Sequence, residues 1–260
     1  MGSDFLWPQV RALPYFRALL RAVEASLMSQ ITLPERVLDL GCGDGHFASE
    51  TYDRPVTVGV DPDLASLREA ARRRAYRMLV VADGEHLPFA EATFASAFSN
   101  SVLEHIPPLQ EVLGDLGRVL RPGAKLAITV PNPGYLEHLG LAAWARRLGL
   151  AKLGDWYTEW FRVVTRTVNL DWEDGWKSRL ERAGFILIRS VRYFPPRALR
   201  TLEWGHYFGL PSLVARKLTG RWILLPTRLN LGLTEAFVRR YYRQPLAGDG
   251  TYTFFLARRR

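Results

Sequence analysis

A chain of 260 residues with 48% hydrophobic and 12% aromatic side chains can close a substantial core, which excludes a disordered tail, a collagenous repeat and a coiled coil. Its net charge of +9 is uneven: residues 1–136 carry 13 Lys/Arg against 16 Asp/Glu, whereas residues 137–260 carry 22 against 10 and seven of the eight tryptophans. The single cysteine, Cys42, excludes an internal disulfide and a cysteine-based zinc site; with no secretory leader pattern and no apolar run of about 18 residues, a cytoplasmic protein that does not span a membrane is expected.

Phe16, Leu19, Leu20, Val23 and Leu27 recur at three- and four-residue steps and predict a helix over Tyr15–Gln30. Arg36–Leu40 reads as a short apolar strand ending in a glycine turn, His46–Tyr52 as a helix and Val56–Val60 as a second strand. Asp63–Arg74 is a helix with a basic outer face, and Met78–Ala82 and Ala95–Ser99 are expected as buried strands. Leu109–Leu120 is an amphipathic helix closed by Arg121-Pro122-Gly123, followed by a fifth strand at Lys125–Val130. This alternation implies right-handed crossovers and a mostly parallel, doubly wound α/β sheet.

After Val130 the rhythm breaks. Residues 131–170 form a Trp-rich helical excursion, Asp171 is expected to cap a helix running to about Ala183, and Gly184 stops it. Phe185–Tyr193 reads as a sixth strand and residues 195–249 as a second excursion rich in Arg, Leu and aromatics. The alternation of Tyr252, Phe254 and Leu256 predicts a final strand over Thr251–Arg258.

The sharpest feature is Val37-Leu38-Asp39-Leu40-Gly41-Cys42-Gly43-Asp44-Gly45, a strand running into a glycine turn that opens a helix. Gly41 and Gly43 let backbone lie against a ligand where a Cβ would collide. Asp61 ends the second strand twenty residues after Gly41, where a carboxylate can accept both hydroxyls of a ribose. A dinucleotide fingerprint requires a third glycine where this chain has His46, and Asp44 stands where the pyrophosphate would bind. A nucleoside without phosphate and with a positive sulfonium suits an acid-lined pocket better.

In VLDLGCGDG, VGVDPD, VADGEHLPF, SNSVLEHI and VLRPGAKLAITVPNP, in that order, the chain resembles the class I S-adenosylmethionine-dependent methyltransferases, particularly the group that includes the ubiquinone and menaquinone biosynthesis methyltransferases. The resemblance runs over about residues 35–134 and resumes around 171–193. It implies a Rossmann-like fold with S-adenosylmethionine as cofactor, held along the sheet edge. Asp39, Gly41 and Gly43, helped by backbone near Cys42, are then expected to wrap the methionine end, with Asp61 on the ribose and Pro62 beside the adenine. Asp83 is expected on the adenine amino group, the Gly84 amide on a ring nitrogen, and Asn100 against the methionine portion. One domain over residues 1–260 is expected: a helical cover at 1–34, a cofactor core at 35–134, and helical insertions at 135–170 and 195–249 over the acceptor site. The last strand is expected to insert antiparallel beside the sixth, as in the family.

Methyl transfer from a sulfonium is an in-line displacement in which alignment does much of the work, so a base matters only where a hydroxyl must lose its proton. His105, just past the fourth strand, is the candidate catalytic base, with His206 as a remoter one; no metal is expected. Base-amine methyltransferases carry an Asn/Asp-Pro-Pro-aromatic tetrad where this chain has Ser99-Asn100-Ser101-Val102. Methylation at oxygen or carbon of a small or amphiphilic acceptor is therefore favoured, and nucleic acid is the less expected partner. An RNA-directed methyltransferase and a non-catalytic cofactor-binding module are the alternatives. In the basic half, Tyr135, Trp144, Trp156, Trp160, Phe161, Trp204, Tyr207, Phe208 and Trp222 are expected as apolar walls among arginines such as Arg197, Arg200 and Arg216. That mixture suits an amphiphile with an anionic head, or peripheral contact with an anionic membrane.

Overall fold

The computed structural model describes residues 3–260, apart from the side chains of His206, Phe208 and Leu210, so the roles expected of His206 and Phe208 lie outside the described residues. In chain order the elements are α1 (Leu6–Val10), α2 (Tyr15–Met28), β1 (Val37–Leu40), α3 (His46–Thr51), β2 (Val56–Asp61), α4 (Leu64–Arg73), β3 (Tyr76–Val81), β4 (Phe94–Asn100), α5 (Leu109–Val119) and β5 (Leu120–Pro131). There follow α6 (Gly134–Glu137), α7 (Gly140–Arg147), α8 (Ala151–Val164), α9 (Glu173–Arg182), β6 (Phe185–Tyr193), α10 (Pro196–Phe208), α11 (Leu210–Thr219), α12 (Arg228–Arg243) and β7 (Tyr252–Arg259). The chain divides into two compact units.

The sheet unit comprises Met28–Pro133, Arg166–Val191 and Tyr252–Arg260. Its seven strands run β3-β2-β1-β4-β5-β7-β6, with the first five parallel; β7 lies beside β6 as expected, and its antiparallel pairing is with β5 on its other side. Strand order reverses between β1 and β4, the switch point outside which ligands bind in open α/β sheets. On one side Val112, Leu113 and Leu116 of α5 and Trp176 and Leu180 of α9 pack with Leu38, Val58, Ala97, Leu126 and Phe255 of the strands. Gly117 allows α5 close to the end of α9, where a Cβ would lie 2.6 Å from the Ala183 carbonyl oxygen. Arg259 ties the two ends together, donating to the carbonyls of Gly117 and Gly184 at 2.7 and 2.8 Å.

Two local expectations are corrected here. β3 is an edge strand, not a buried one: it begins at Tyr76, and Met78 and Val81 are exposed because only β2 pairs with it. The helix expected after Asp171 starts at Glu173 with Trp172 at its N-cap, and the Asp171 carboxylate accepts from Arg179 Nε at 2.8 Å instead of capping. Gly184, at φ +80°, follows that helix as expected.

The helical unit comprises residues up to Leu27, Gly134–Thr165 and Arg192–Thr251. Here α1 packs on α12, α7 on α8, and α10 on α6 and α11, while Phe16 of α2 lies where a Cβ on Gly205 would fall 2.3 Å from it. A buried carboxylate organises the centre. Glu203 accepts from the Gly140 and Leu141 amides at the start of α7, at 2.6 and 3.1 Å, and from the Tyr157 hydroxyl at 2.8 Å. The orphan amides and positive end of a helix are suitable partners for a buried anion. Burial, the hydrogen bond with Tyr207 and the neighbouring Glu203 raise the Tyr157 pKa, so its phenol stays a donor. Tyr135 and Phe161, expected as walls, are buried and pack against each other with ring centroids 5.7 Å apart. These two serve the unit's own core, whereas Trp144, Trp156, Trp160 and Trp204 are exposed.

Candidate functional site

The residues singled out in the sequence lie at the carboxyl edge of β1, β2, β3 and β4, on either side of the switch point. The glycine turn hangs from the end of β2, because the Gly41 and Cys42 amides both donate to the Val60 carbonyl, at 2.8 and 3.0 Å. Gly41 sits at φ +78°, and a Cβ there would fall 2.4 Å from a Val102 methyl, so no other residue fits. Gly43, at φ +53°, has nothing within 4 Å of the place a Cβ would take. One glycine is closed in by its own protein and the next presents open backbone.

Asp61 is joined directly to that turn. Its Oδ2 accepts from the Gly43 amide and its Oδ1 from the Asp63 amide, both at 2.9 Å. Two backbone donors fix the plane of the half-buried carboxylate, and each oxygen retains acceptor capacity for a vicinal diol. Capping of the following helix falls to Asp63, whose side chain accepts from the Ala65 and Ser66 amides. Pro62 beside it is exposed. Asp44 accepts from the His46 amide at 3.1 Å at the start of α3 and lies 3.5 Å from Arg73, so a carboxylate of the chain itself stands where a pyrophosphate would need those donors.

Asp39 is buried within β1 and accepts a 2.6 Å hydrogen bond from the Tyr76 hydroxyl. Tyr76 starts β3, two strands away, and its ring crosses β2 over Gly59, where a Cβ would lie 2.8 Å from the ring. Burial, followed by the negative charge of Asp39, raises the Tyr76 pKa and keeps the hydroxyl a donor. Sequence reasoning missed Tyr76. Its signal was Gly59, a glycine inside a strand, which marks close approach of another group.

Cys42 is buried, and burial together with the carboxylates of Asp39 and Asp61 pushes its thiol pKa up, so it is held protonated and is no nucleophile. Asp83 is exposed just past β3, and Gly84 packs so that a Cβ would lie 3.2 Å from Val112. The loop carrying both is clamped from α5, a second feature that sequence reasoning missed. Asp115 accepts from the Leu87 amide at 2.7 Å and from Arg118, while Arg118 donates to the carbonyls of Leu87 and Phe89 at 2.9 and 2.6 Å.

Asn100 closes β4, buried, with its Oδ1 accepting from the Thr129 hydroxyl of β5 at 2.9 Å. His105 lies in a 3-10 turn at Leu103–His105, exposed, with Nδ1 3.0 Å from the Arg166 carbonyl oxygen and Nε2 3.7 Å from Glu104. A carbonyl only accepts, so in the neutral ring Nδ1 carries the proton and Nε2 the basic lone pair. Asn169 holds the turn by donating to the carbonyls of Leu103 and Ile106.

Among the described residues, two cavities lie within the helical unit. One, of about 420 Å³, is lined by Tyr15, Arg197, Arg200, Trp204, Phe237 and Tyr241. The other, of about 440 Å³, is lined by Leu141, Trp144, Arg147, Arg200 and Trp204 among others. Arg200 and Trp204 belong to both. Among the described residues, none of Arg147, Arg197 and Arg200 is paired with a carboxylate.

Comparison with known proteins agrees with this architecture. A family model described as a methyltransferase domain matches residues 11–190. An uncharacterized methyltransferase of Mycobacterium marinum is 30% identical over 217 residues, covering 74% of this chain and 82% of the relative. A malonyl-[acyl-carrier protein] O-methyltransferase of Legionella pneumophila is 35% identical over 115 residues, covering 42% of this chain and 40% of the relative. Against three relatives of that name, the match spans only 40–50% of their length. Among solved structures, a Thermotoga maritima S-adenosylmethionine-dependent methyltransferase aligns over 95% of this chain and 91% of its own, with a TM-score of 0.57 at 15% identity. The geranyl diphosphate C-methyltransferase of Streptomyces coelicolor aligns over 95% and 83%, with a TM-score of 0.56 at 16% identity. S-adenosylmethionine is the family's cofactor, and the residues that could hold it here are Gly43, open where a Cβ would lie, the oriented carboxylate of Asp61, and the acids Asp39 and Asp44 near Cys42. The chain belongs to the class I S-adenosylmethionine-dependent methyltransferases.

Proposed function

We propose that this protein methylates an oxygen of a small or amphiphilic acceptor with a negatively charged end, a carboxylate in the first instance. The observation that carries this reading is the pair of cavities sharing Arg200 and Trp204, in which Arg147, Arg197 and Arg200 offer positive charge beside aromatic walls. Guanidinium groups recognise carboxylates through parallel hydrogen bonds, and the aromatic faces take the apolar remainder. The names of the acyl-carrier-protein relatives point the same way, toward an acyl-type acceptor, over a similarity that spans less than half of this chain.

Asp39, Gly41, Cys42, Gly43, Asp61, Pro62, Asp83, Gly84 and Asn100 are proposed to hold the cofactor in the roles their positions suggest. When bound, the cofactor supplies a methyl group already activated for displacement by an in-line nucleophile. Gly43 presents open backbone, Asp61 fixes the sugar, and Asn100 borders the reacting end. A carboxylate acceptor needs no base. For a hydroxyl acceptor, His105 Nε2 would receive the proton, with Nδ1–H kept on the Arg166 carbonyl.

The test is transfer from labelled S-adenosylmethionine to a panel of malonyl thioesters, free fatty acids, phenols and RNA, read by mass spectrometry. Turnover on the carboxylates, with KM raised about tenfold or more in Arg200→Ala and little change in cofactor affinity, is expected, as loss of a charge-assisted bond predicts. Cofactor binding without turnover on any acceptor would leave a non-catalytic module, and turnover on RNA alone would replace the acceptor reading.

A further inference from the structure

Apart from Phe237 and Tyr241, which line one of the cavities, residues 210–243 carry a surface that neither cofactor binding nor acceptor recognition uses. α12 has two apolar faces. Leu231 and Val238 are buried, whereas Leu229 and Leu233, one turn apart on the opposite side, are 99% and 88% exposed. The same character runs back through exposed Leu224 and Leu225 to α11, where Val214 is exposed and Leu218 is 80% exposed. Scattered surface leucines are ordinary, but five leucines and a valine within twenty residues, on two helices and the segment joining them, mark an interaction surface.

The stretch is strongly basic, and the acid brought against it from the N-terminal segment, Asp4, is paired with Arg239. Residues 210–243 contain seven Lys/Arg and a single acid, Glu235, which is buried and paired with Arg228 and Arg239. The other five cations are Arg216, Lys217, Arg221, Arg240 and Arg243. Arg216 lies over the Trp222 ring at 4.8 Å, and Arg240 over Phe237 and Tyr241 at 4.6 and 4.7 Å. Cationic heads on stems laid along apolar surface are the arrangement side chains adopt where hydrocarbon meets charged headgroups.

We propose that α11, the segment after it and the outer face of α12 dock on an anionic lipid bilayer. Leu218, Leu224, Leu225, Leu229 and Leu233 would enter the boundary of headgroups and acyl chains, and the surrounding Arg and Lys would meet lipid phosphates. No helix among the described residues is long and apolar enough to cross a membrane, so the contact is peripheral. Charge decides against a second copy of the chain as the occupant. A two-fold interface would set each cationic rim against its own image, whereas an anionic bilayer complements it.

The experiment is co-sedimentation of the full chain with phosphatidylcholine vesicles, with and without phosphatidylglycerol. The protein is expected to pellet with the anionic vesicles, to stay in the supernatant with phosphatidylcholine alone, and to be released when salt rises from about 0.1 to about 0.5 M. The double variant Leu229→Asp/Leu233→Asp should weaken partitioning on the order of tenfold or more, with its circular dichroism and melting temperature unchanged. Arg216→Glu/Lys217→Glu should do the same, and serves alone if the first variant fails to fold. Wild-type protein left in the supernatant with anionic vesicles, equal binding to neutral ones, or binding that survives both variants would overturn the proposal. So would a wild-type dimer that Leu229→Asp/Leu233→Asp turns into a monomer while vesicles are ignored.

Discussion

Asp61 shows how much one side chain can be made to do. It is oriented by the amides of Gly43 and Asp63 and is the group whose loss should be felt most directly in cofactor binding. Asp61→Ala is expected to lower S-adenosylmethionine affinity by about 1.5–3 kcal/mol, the range for hydrogen bonds to a charged group. Titration calorimetry reads this directly, and an unchanged affinity would remove Asp61 from the site. Asp61, Gly41 and Gly43 were legible in the sequence because a strand, a tight turn and the next strand's end are fixed by residues close together in the chain. Tyr76 was not. It reaches Asp39 across an intervening strand, and only the sheet's lateral order brings the two within 2.6 Å. His105 was legible as a position past β4, but its tautomer is set by the Arg166 carbonyl, sixty-one residues away.

Between elements, the clearest device is the clamp from α5 onto the Asp83–Phe89 loop. Burial alone would raise the Asp115 pKa, but hydrogen bonds from Arg118 and the Leu87 amide, with the Arg118 charge, hold it below the usual carboxylate range. A carboxylate lowered in the folded state contributes stability above its unfolded pKa, about 3.9, and loses it as pH falls through the folded value. Asp115→Asn should therefore cost about 1 kcal/mol near pH 7, a modest figure because Arg118 is partly exposed. The deficit should begin to shrink as pH falls below about 4 and vanish only once pH has passed the lowered folded value, where wild-type Asp115 is protonated too. Urea denaturation of both proteins at several pH values checks this; a deficit independent of pH would assign Asp115 a packing role instead. The Asp171 correction has the same lesson in reverse. An acid shortly before a helix looks like a cap, yet Arg179, two turns on, offers a charged partner that the backbone amides do not match.

Across the whole molecule, the acidic and basic parts of the sequence track the division of labour only loosely. The sheet unit takes in residues from both, since Arg166–Val191 and the final strand return to it after the chain has built part of the helical unit. Within the sheet unit, Cys42 is a reporter of global unfolding. Burial and two neighbouring carboxylates hold it as a thiol, so at pH 8 iodoacetamide should label native protein far more slowly than unfolded protein. Labelling followed through a urea transition should coincide with loss of the circular dichroism signal. Rapid labelling without denaturant would show that the glycine turn opens locally.

The sequence by itself determined the alternation of strands and helices, the glycine turn, the acid that ends the second strand and the antiparallel last strand. Each of these depends on periodicity or turn chemistry within a few residues, or on a family pattern carried by such short stretches. Only the tertiary structure decided that β3 is an edge, that Tyr76 braces Asp39, that Glu203 gathers three donors, and which aromatics are core and which face solvent. Those outcomes depend on contacts between residues tens of positions apart, whose energies exist only once the intervening chain has been folded and its entropy already lost.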